Sequence, residues 1–164
     1  NNHGVESSGR EGVMEFNGKA GLALPRSAAP RLAGGKWLRV RATVQPASPN
    51  GVILAHGGNK EGYSLYLKEG RIAVATCVSW KRTMISAPLG DGARQVEFFW
   101  QKSGEMLLKV DGKLVSRGKA PGFLAAQPGD SVQIGSDLIQ PVGDYSVQNA
   151  FRGMISAVSL DYSR

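Results

Sequence analysis

The sequence predicts an all-β fold in which two antiparallel sheets pack face to face as a sandwich. Short apolar or alternating runs recur roughly every ten residues along the chain, which is typical of this architecture. Turn-forming dipeptides separate the runs, and no segment keeps an apolar stripe at helical spacing over three turns. The 22 glycines and 8 prolines among 164 residues also indicate many tight turns. A chain of this length can bury one hydrophobic core as a single domain.

Twelve runs are predicted to form strands, and polar or glycine-rich segments separate them. The predicted strands are residues 13–16, 22–24, 37–44, 51–55, 63–67, 71–78, 83–86, 94–101, 106–110, 113–116, 132–134 and 151–162. Residues 1–12 are polar and rich in Gly, Ser and Glu, so they are predicted to be a linker or disordered start. Residues 13–164 then form the single sandwich domain. Segment 121–126 is the one place where a short turn of helix is expected.

The first long run, residues 37–44, shows why each strand is assigned one apolar face. Leu38, Val40, Ala42 and Val44 alternate with more polar side chains, which places them on one side of a strand. The runs at 63–67 and 94–101 behave in the same way. Tyr63, Leu65 and Leu67 form the apolar side of the first, and Val96, Phe98 and Trp100 that of the second. These apolar faces are predicted to meet between the two sheets.

The later runs are joined by the clearest turn signals in the chain. Glu69-Gly70, Asp91-Gly92 and Asp111-Gly112 each place a glycine where a hairpin needs a positive φ. The last of these lies inside Leu107–Val115, the clearest hairpin of all. The final run opens with Phe151-Arg152-Gly153 and continues with apolar residues at alternating spacing, as expected of a closing strand.

Composition limits the possible functions. Twenty Lys and Arg residues against 13 Asp and Glu residues give a net charge of +7, which favours an anionic partner. No zinc-finger, helix-turn-helix or RNA-binding signature accompanies these charges, so nucleic acid is not the expected partner. No apolar run reaches the roughly 18 residues of a membrane span. The single Cys77 excludes an internal disulfide framework, and it is predicted to be a buried, unreactive thiol.

Two histidines and few clustered acids leave little material for a catalytic or metal site. The two are His3 and His56, and the latter is expected to be a polar group beside a turn. The acids on predicted strands are Glu15, Glu97 and Asp161, which are not spaced as a pair on one strand, as glycoside hydrolysis would favour. The sequence therefore predicts a protein without catalytic activity.

Three stretches in order resemble the concanavalin A-like lectin/glucanase superfamily, in its laminin G-like branch. They are Asn50–Gly58 with Gly62–Ile72, then Val110–Val115, then Val132–Asp137 with Phe151–Leu160. The pattern is similar to the C-terminal accessory domain of secreted bacterial, notably planctomycete, sulfatases. The resemblance implies a jelly-roll sandwich that is secreted or periplasmic and binds carbohydrate. The sulfatase Cys/Ser-x-Pro-x-Arg motif is missing here, since Cys77 is followed by Val78-Ser79-Trp80, with no proline at the second position.

The predicted carbohydrate-binding residues are loop aromatics beside charged groups: Trp80, Lys81, Arg82, Asp144 and Tyr145. An exposed indole beside two cations suits stacking and ion pairing with an acidic or sulfated glycan. Alternatively, Trp80 folds back to close the edge of the sandwich. No cofactor is predicted, except that Asp137 and Asp144 are candidate Ca²⁺ ligands through the resemblance. For these two carboxylates, capping of local turns is the favoured alternative.

Three functional hypotheses follow for this chain. The first is a non-catalytic carbohydrate-binding or accessory module. The second is a structural module that packs against an adjacent protein domain, such as a sulfatase, and needs no ligand. The third is a glycoside hydrolase of the same superfamily. The expected partners are therefore a carbohydrate or a neighbouring protein domain.

Overall fold

A computed structural model describes residues 5–138, 140–146 and 148–163, with side chains from residue 12 onward. It confirms the predicted all-β sandwich, because its strands form two antiparallel sheets of six strands each. His3 lies outside the described residues. In the described part of the chain, no helix is long and apolar enough to cross a membrane.

The first sheet has the strand order β1-β12-β3-β8-β9-β10. Its strands are β1 (Val5–Asn17), β12 (Arg152–Ser163), β3 (Trp37–Pro46), β8 (Arg94–Gln101), β9 (Glu105–Val110) and β10 (Lys113–Lys119). The second sheet has the order β2-β11-β4-β5-β6-β7. Its strands are β2 (Leu22–Ala23), β11 (Gln133–Ile134), β4 (Gly51–Gly57), β5 (Gly62–Lys68), β6 (Arg71–Val78) and β7 (Lys81–Pro88).

The core lies between the two sheets and contains the side chains that alternation assigns to it. Val40 of β3, Leu65 of β5 and Phe98 of β8 are each about 1% exposed. Trp100 is fully buried there, and its indole Nε1 donates a hydrogen bond to the Gly122 carbonyl at 3.1 Å. The predicted inner faces of these strands are therefore confirmed.

β1 begins earlier than the sequence predicts. The predicted strand starts at residue 13, whereas β1 starts at Val5 and pairs with Ser163 of β12. The strand thus extends into the segment predicted to be a linker, of which residues 1–4 lie outside the described residues. Edge-strand pairing uses backbone hydrogen bonds, which polar residues form as well as apolar ones. The division into a linker and one domain stays a prediction.

Segment 121–126 bends without forming the expected helical turn, and a short 3₁₀ helix lies instead at Arg26–Ala28. Backbone groups of segment 121–126 form hydrogen bonds with side chains from distant parts of the chain instead. The Gly122 carbonyl accepts from Trp100, and the Ala125 amide donates to Glu61 Oε2 at 3.2 Å. Two backbone groups of the segment therefore have partners outside it instead of the internal hydrogen bonds of a helical turn.

Described residues of the chain's own segment 136–146 cover part of the outer face of the second sheet, over β4, β5 and β6, which the sequence does not predict. Ser64 and Tyr66 point to this outer face, yet they are 1% and 2% exposed. Val142 and Tyr145 pack there over a small apolar cluster on the sheet. Cys77 belongs to this second cluster and is buried as predicted, with its Sγ donating to the Val142 carbonyl at 3.4 Å.

His56 at the end of β4 is fully buried, so the expectation of a turn-side polar group is corrected. Its Nδ1 lies 2.9 Å from the Tyr63 hydroxyl, and the two rings meet edge to face at 5.4 Å. Burial lowers the pKa of His56, while Asp130 opposes this effect. The buried imidazole therefore packs edge to face against Tyr63 inside the sandwich.

Candidate functional site

The β6–β7 hairpin places an indole in an unusual backbone conformation. Ser79 and Trp80 form its two-residue turn, and both have positive φ, 48° and 71°. Two other two-residue hairpins have the same signs of φ at Glu69-Gly70 and Asp111-Gly112. These carry glycine at the second position, where a type I′ turn favours it. The third hairpin carries tryptophan there, at a strain cost of about 1–3 kcal/mol.

A neighbouring turn holds this hairpin in place. The Trp80 amide donates to the Lys60 carbonyl at 3.1 Å. The Ser79 amide donates to Glu61 Oε1 at 3.0 Å, and the other oxygen of that carboxylate accepts from the Ala125 amide. Glu61 is only 8% exposed although it is a carboxylate. It acts as a buried anchor that ties the hairpin to the 121–126 segment.

Sequence reasoning missed Glu61. The only local signal is its position in Gly57-Gly58-Asn59-Lys60-Glu61-Gly62, a turn that the glycines predict. Its partners lie 18 and 64 residues further along the chain. The spacing of residues in the sequence does not show that a carboxylate in a turn accepts hydrogen bonds from two distant backbone amides.

The structure places Trp80, Lys81 and Arg82 together on an open surface. The Trp80 side chain is 65% exposed, so it does not fold back to close the sandwich edge. Lys81 and Arg82, which begin β7, are exposed beside it. The hairpin thus combines an accessible indole with two adjacent cations.

Asp144 lies on the outer face of the second sheet in an exposed ion pair. Its Oδ2 accepts a hydrogen bond from Lys68 Nζ. This contact lowers the pKa of Asp144, and Arg82 adds a smaller lowering of that pKa. Asp144 therefore shares the electrostatic environment of Arg82 while its direct partner is Lys68.

Tyr145 is turned inward and does not lie beside Trp80 as an open ring. Its hydroxyl is 2.5 Å from Asp137 Oδ2 and 2.7 Å from Ser64 Oγ. Its ring meets Tyr66 edge to face at a centroid distance of 4.8 Å. Burial, and then the nearby Asp137 charge, raises the pKa of Tyr145. Through these contacts, Tyr145 links its own segment to β5 of the second sheet.

The two carboxylates predicted as calcium ligands have separate protein partners. Asp137 is 2% exposed, and its Oδ2 accepts from the Val142 amide at 3.0 Å as well as from Tyr145. Burial raises the pKa of Asp137, while these hydrogen bonds oppose that shift. Asp144 pairs with Lys68 instead. Within the described residues, no group of three or more His, Cys, Asp or Glu side chains could hold a metal ion.

The strand acids considered for catalysis lie on the first sheet, where two of them, Glu97 and Asp161, are ion-pair partners. Asp161 Oδ2 is 2.8 Å from Arg41 Nη2, and Glu97 lies 3.9 Å from both Arg39 and Lys109. Glu15 is exposed on β1. Ion pairing with arginine and lysine side chains on the surface of the sheet explains why Glu97 and Asp161 stand at these positions.

An open cavity of about 330 Å³, lined by both apolar and polar groups, lies beside the turn that anchors the hairpin. Lys60 and Glu61, which anchor the hairpin, form part of its wall together with Gln127, Asp130 and Gln140. Asp130 also accepts a hydrogen bond from the Gly57 amide at 2.8 Å. Carboxylate and amide groups of this kind can hydrogen-bond sugar hydroxyls. Lys60 and Glu61 therefore contact both the cavity and the turn that carries the exposed indole.

Comparison with known proteins agrees with this fold. Residues 44–162 match the sequence model of the laminin G domain. The mouse laminin alpha1 chain, domains LG4-5, superposes with a TM-score of 0.74 at 20% identity, covering 92% of this chain and 40% of that one. Ruminococcus gnavus IT-sialidase CBM40 bound to alpha2,3 sialyllactose gives 0.69 at 17% identity, covering 94% and 89%.

A more distant structure shares the same fold. A heptameric SAP-like pentraxin from Limulus polyphemus has a TM-score of 0.58 at 16% identity, covering 96% of this chain and 75% of that one. No curated protein sequence matches the chain.

Proposed function

This chain belongs to the laminin G domain family, and we propose that it is a non-catalytic carbohydrate-binding module that binds through the Ser79–Trp80 hairpin. Ruminococcus gnavus CBM40, a protein of the same fold, has been solved bound to sialyllactose. The observation that carries the proposal is Trp80, which is 65% exposed at a turn position that favours glycine. Tryptophan there costs backbone strain and gains no burial, which points to function.

The anchor of the hairpin supports a binding role. Glu61 and the Lys60 carbonyl fix the backbone of both turn residues, so the position from which the indole projects is set before a ligand arrives. A turn that is already ordered loses little backbone entropy when the ligand binds. By analogy with base–aromatic stacking, a sugar ring on this indole is worth about 1–3 kcal/mol.

The ligand class that we propose is an acidic or sulfated glycan. Lys81 and Arg82 directly follow Trp80 at the start of β7, and the whole chain carries a net charge of +7. The charge of Arg82 also lowers the pKa of Asp144, so the two groups attract each other. A sulfate or carboxylate of the ligand would compete with Asp144 for the Arg82 guanidinium. Exposed ion pairs contribute little and weaken as salt shortens the screening length. Stacking therefore supplies most of the affinity, and charge supplies the selectivity.

The setting that we propose is extracellular or periplasmic, next to a catalytic domain such as a sulfatase. Its support is the likeness of Ile134–Asp137, Pro141–Tyr145 and Phe151–Gly153 to the accessory domain of secreted sulfatases. In this setting the module would keep the enzyme close to its polymeric substrate by adding a second point of attachment.

Replacing Trp80 with Gly is expected to remove binding without harming the fold. Glycine adopts the positive φ of this position freely, so the stability should stay unchanged or rise by about 1 kcal/mol. Calorimetry with a heparin oligosaccharide and with sialyllactose should show at least about a tenfold loss of affinity. Met84→Ala is the matched control, since Met84 of the neighbouring β7 is also an exposed apolar residue, and this variant should keep its affinity for glycan. Unchanged affinity in the Trp80 variant would refute the proposed site.

The charged residues of the hairpin are expected to set the salt dependence. The double variant Lys81→Ala, Arg82→Ala should bind as weakly at about 0.05 M salt as the unmodified protein does at about 0.5 M. Its remaining affinity should no longer change with salt, because that part comes from stacking on Trp80. An affinity of the double variant that still falls steeply with salt would place the ionic contacts elsewhere.

A further inference from the structure

The outward face of the first sheet carries a row of aromatic and cationic side chains that the proposed glycan site does not use. β3 and β8 are the two central strands of this sheet. Arg39 of β3 lies directly opposite Phe99 of β8, and Phe99 lies opposite Leu107 of β9. Trp37 is on the same side of β3 as Arg39. We call Trp37, Arg39, Phe99 and Leu107 the aromatic–arginine row; all four are partly exposed.

Two rings hold the Arg39 guanidinium in place. Its Cζ lies 5.5 Å from the Trp37 ring centroid and 5.2 Å from that of Phe99, and the two rings are 5.8 Å apart. Stacking of this kind suits the planar guanidinium of arginine better than the ammonium group of lysine. The side chain is therefore pre-ordered although it is 37% exposed.

The guanidinium has no close acceptor within the described part of the chain. Its nearest carboxylate is Glu97, whose Oε1 lies 3.9 Å from Arg39 Nε, and that nitrogen is buried without a hydrogen bond. Glu97 also faces Lys109 at 3.9 Å. On the same face, Arg41 makes a close contact of 2.8 Å with Asp161. Arg39 thus keeps its two Nη groups as ordered donors, from which an added carboxylate could accept a pair of hydrogen bonds.

We propose that the aromatic–arginine row is a docking site for a protein partner that presents a carboxylate to Arg39. Tryptophan, phenylalanine and arginine are enriched at protein interfaces, and tryptophan and arginine are typical hot spots. The surplus of positive charge on this chain complements an acidic partner. A sugar ring that binds by stacking is a poorer fit because Arg39 already stacks on both rings, whereas a carboxylate meets the guanidinium without breaking these contacts.

This site is separate from the proposed glycan site, which lies on the second sheet. Described residues of segment 136–146 cover part of the outer face of that sheet, whereas the row on the first sheet stays partly exposed. The molecule would thus bind glycan through one sheet and a neighbouring protein through the other. Failure of either proposal leaves the other standing.

The three tryptophans make both sites visible in one NMR experiment. Trp37 reports on the row, Trp80 reports on the hairpin, and Trp100 is a buried control whose indole already donates to the Gly122 carbonyl. Titration with an oligoglutamate peptide should shift the Trp37 indole and Arg39 Nε–H signals and leave Trp100 unchanged. An oligoglutamine peptide of the same length should shift neither signal.

Variants then separate a specific site from general charge. Arg39→Gln should weaken oligoglutamate binding by at least about fivefold, and Arg39→Lys by a similar factor, since lysine keeps the charge and loses the planar donors. Arg71→Gln removes the same charge from β6 and should change affinity by less than about twofold. The proposal is overturned if Arg71→Gln and Arg39→Gln weaken binding equally, or if Trp37 does not shift. It is also overturned if a heparin oligosaccharide shifts Trp37 more than oligoglutamate does.

Discussion

Replacing Phe98 with Ala is expected to lower the free energy of unfolding by about 3–5 kcal/mol. Phe98 of β8 is 1% exposed, pairs with Val40 of β3 and stacks with Trp100 at a centroid distance of 6.3 Å. Removing its ring leaves a cavity between two sheets that cannot close over it, because strand pairing fixes their positions. Chemical denaturation followed by tryptophan fluorescence measures the loss.

Gln95→Ala is the matched control for this change. Gln95 is an exposed residue of the same strand, and its side chain points away from the core. The control should alter stability by no more than about 0.5 kcal/mol. Because a shift of one residue in register would exchange the two faces of β8, equal losses from both variants would contradict the described pairing.

Replacing Glu61 with Ala is expected to cost about 2–4 kcal/mol and to abolish glycan binding as well. The change leaves the Ser79 and Ala125 amides without their acceptor in a partly buried place. It also frees the hairpin that presents Trp80. Denaturation should show the loss of stability, and hydrogen exchange should show faster exchange of the Ser79 amide than in the unmodified protein.

Two comparisons make the Glu61 experiment specific. Glu61→Gln keeps one side-chain carbonyl oxygen as an acceptor, so it should lose about half as much stability as Glu61→Ala. Glu15→Ala removes an exposed carboxylate from β1 and should cost no more than about 0.5 kcal/mol. If Glu61→Ala were as mild as Glu15→Ala, the carboxylate would not be the anchor of the hairpin.

The sandwich itself could be predicted because apolar and polar residues alternate along its strands, and the apolar ones are those that become buried. Val96, Phe98 and Trp100 share one side of β8 in the sequence and are buried in the structure. The dipeptides Glu69-Gly70 and Asp111-Gly112 likewise show two hairpins directly. These signals are local, so one sequence suffices to read them.

The features that were missed depend on contacts between distant parts of the chain. Ser64 and Tyr66 look like half-polar surface, but they are buried because segment 136–146 crosses them. Tyr145 looks like an open aromatic, but its hydroxyl reaches Asp137 and Ser64. Glu61 looks like a turn acid and is in fact the hairpin anchor. The spacing of residue types along the chain does not show which distant segments will contact each other.

For Trp80, the sequence left two placements open, and backbone geometry decides between them. A tryptophan between Ser79 and Lys81 could have packed over the sandwich edge or faced solvent. The type I′ turn, with both φ values positive, turns the indole outward, where it is 65% exposed. Two-residue turns with glycine at the second position are easy to recognise, whereas one with tryptophan is not.

The most direct test of the carbohydrate-binding proposal is a glycan array probed with the unmodified protein and with Trp80→Gly at about 0.05 M salt. We expect the unmodified protein to bind at least one class of sulfated, sialylated or uronate-bearing glycans, and the variant to bind none of them. Glycan binding that survives in the Trp80 variant would contradict the hairpin site. If the unmodified protein bound no glycan of any class, the proposal of a carbohydrate-binding module would be wrong.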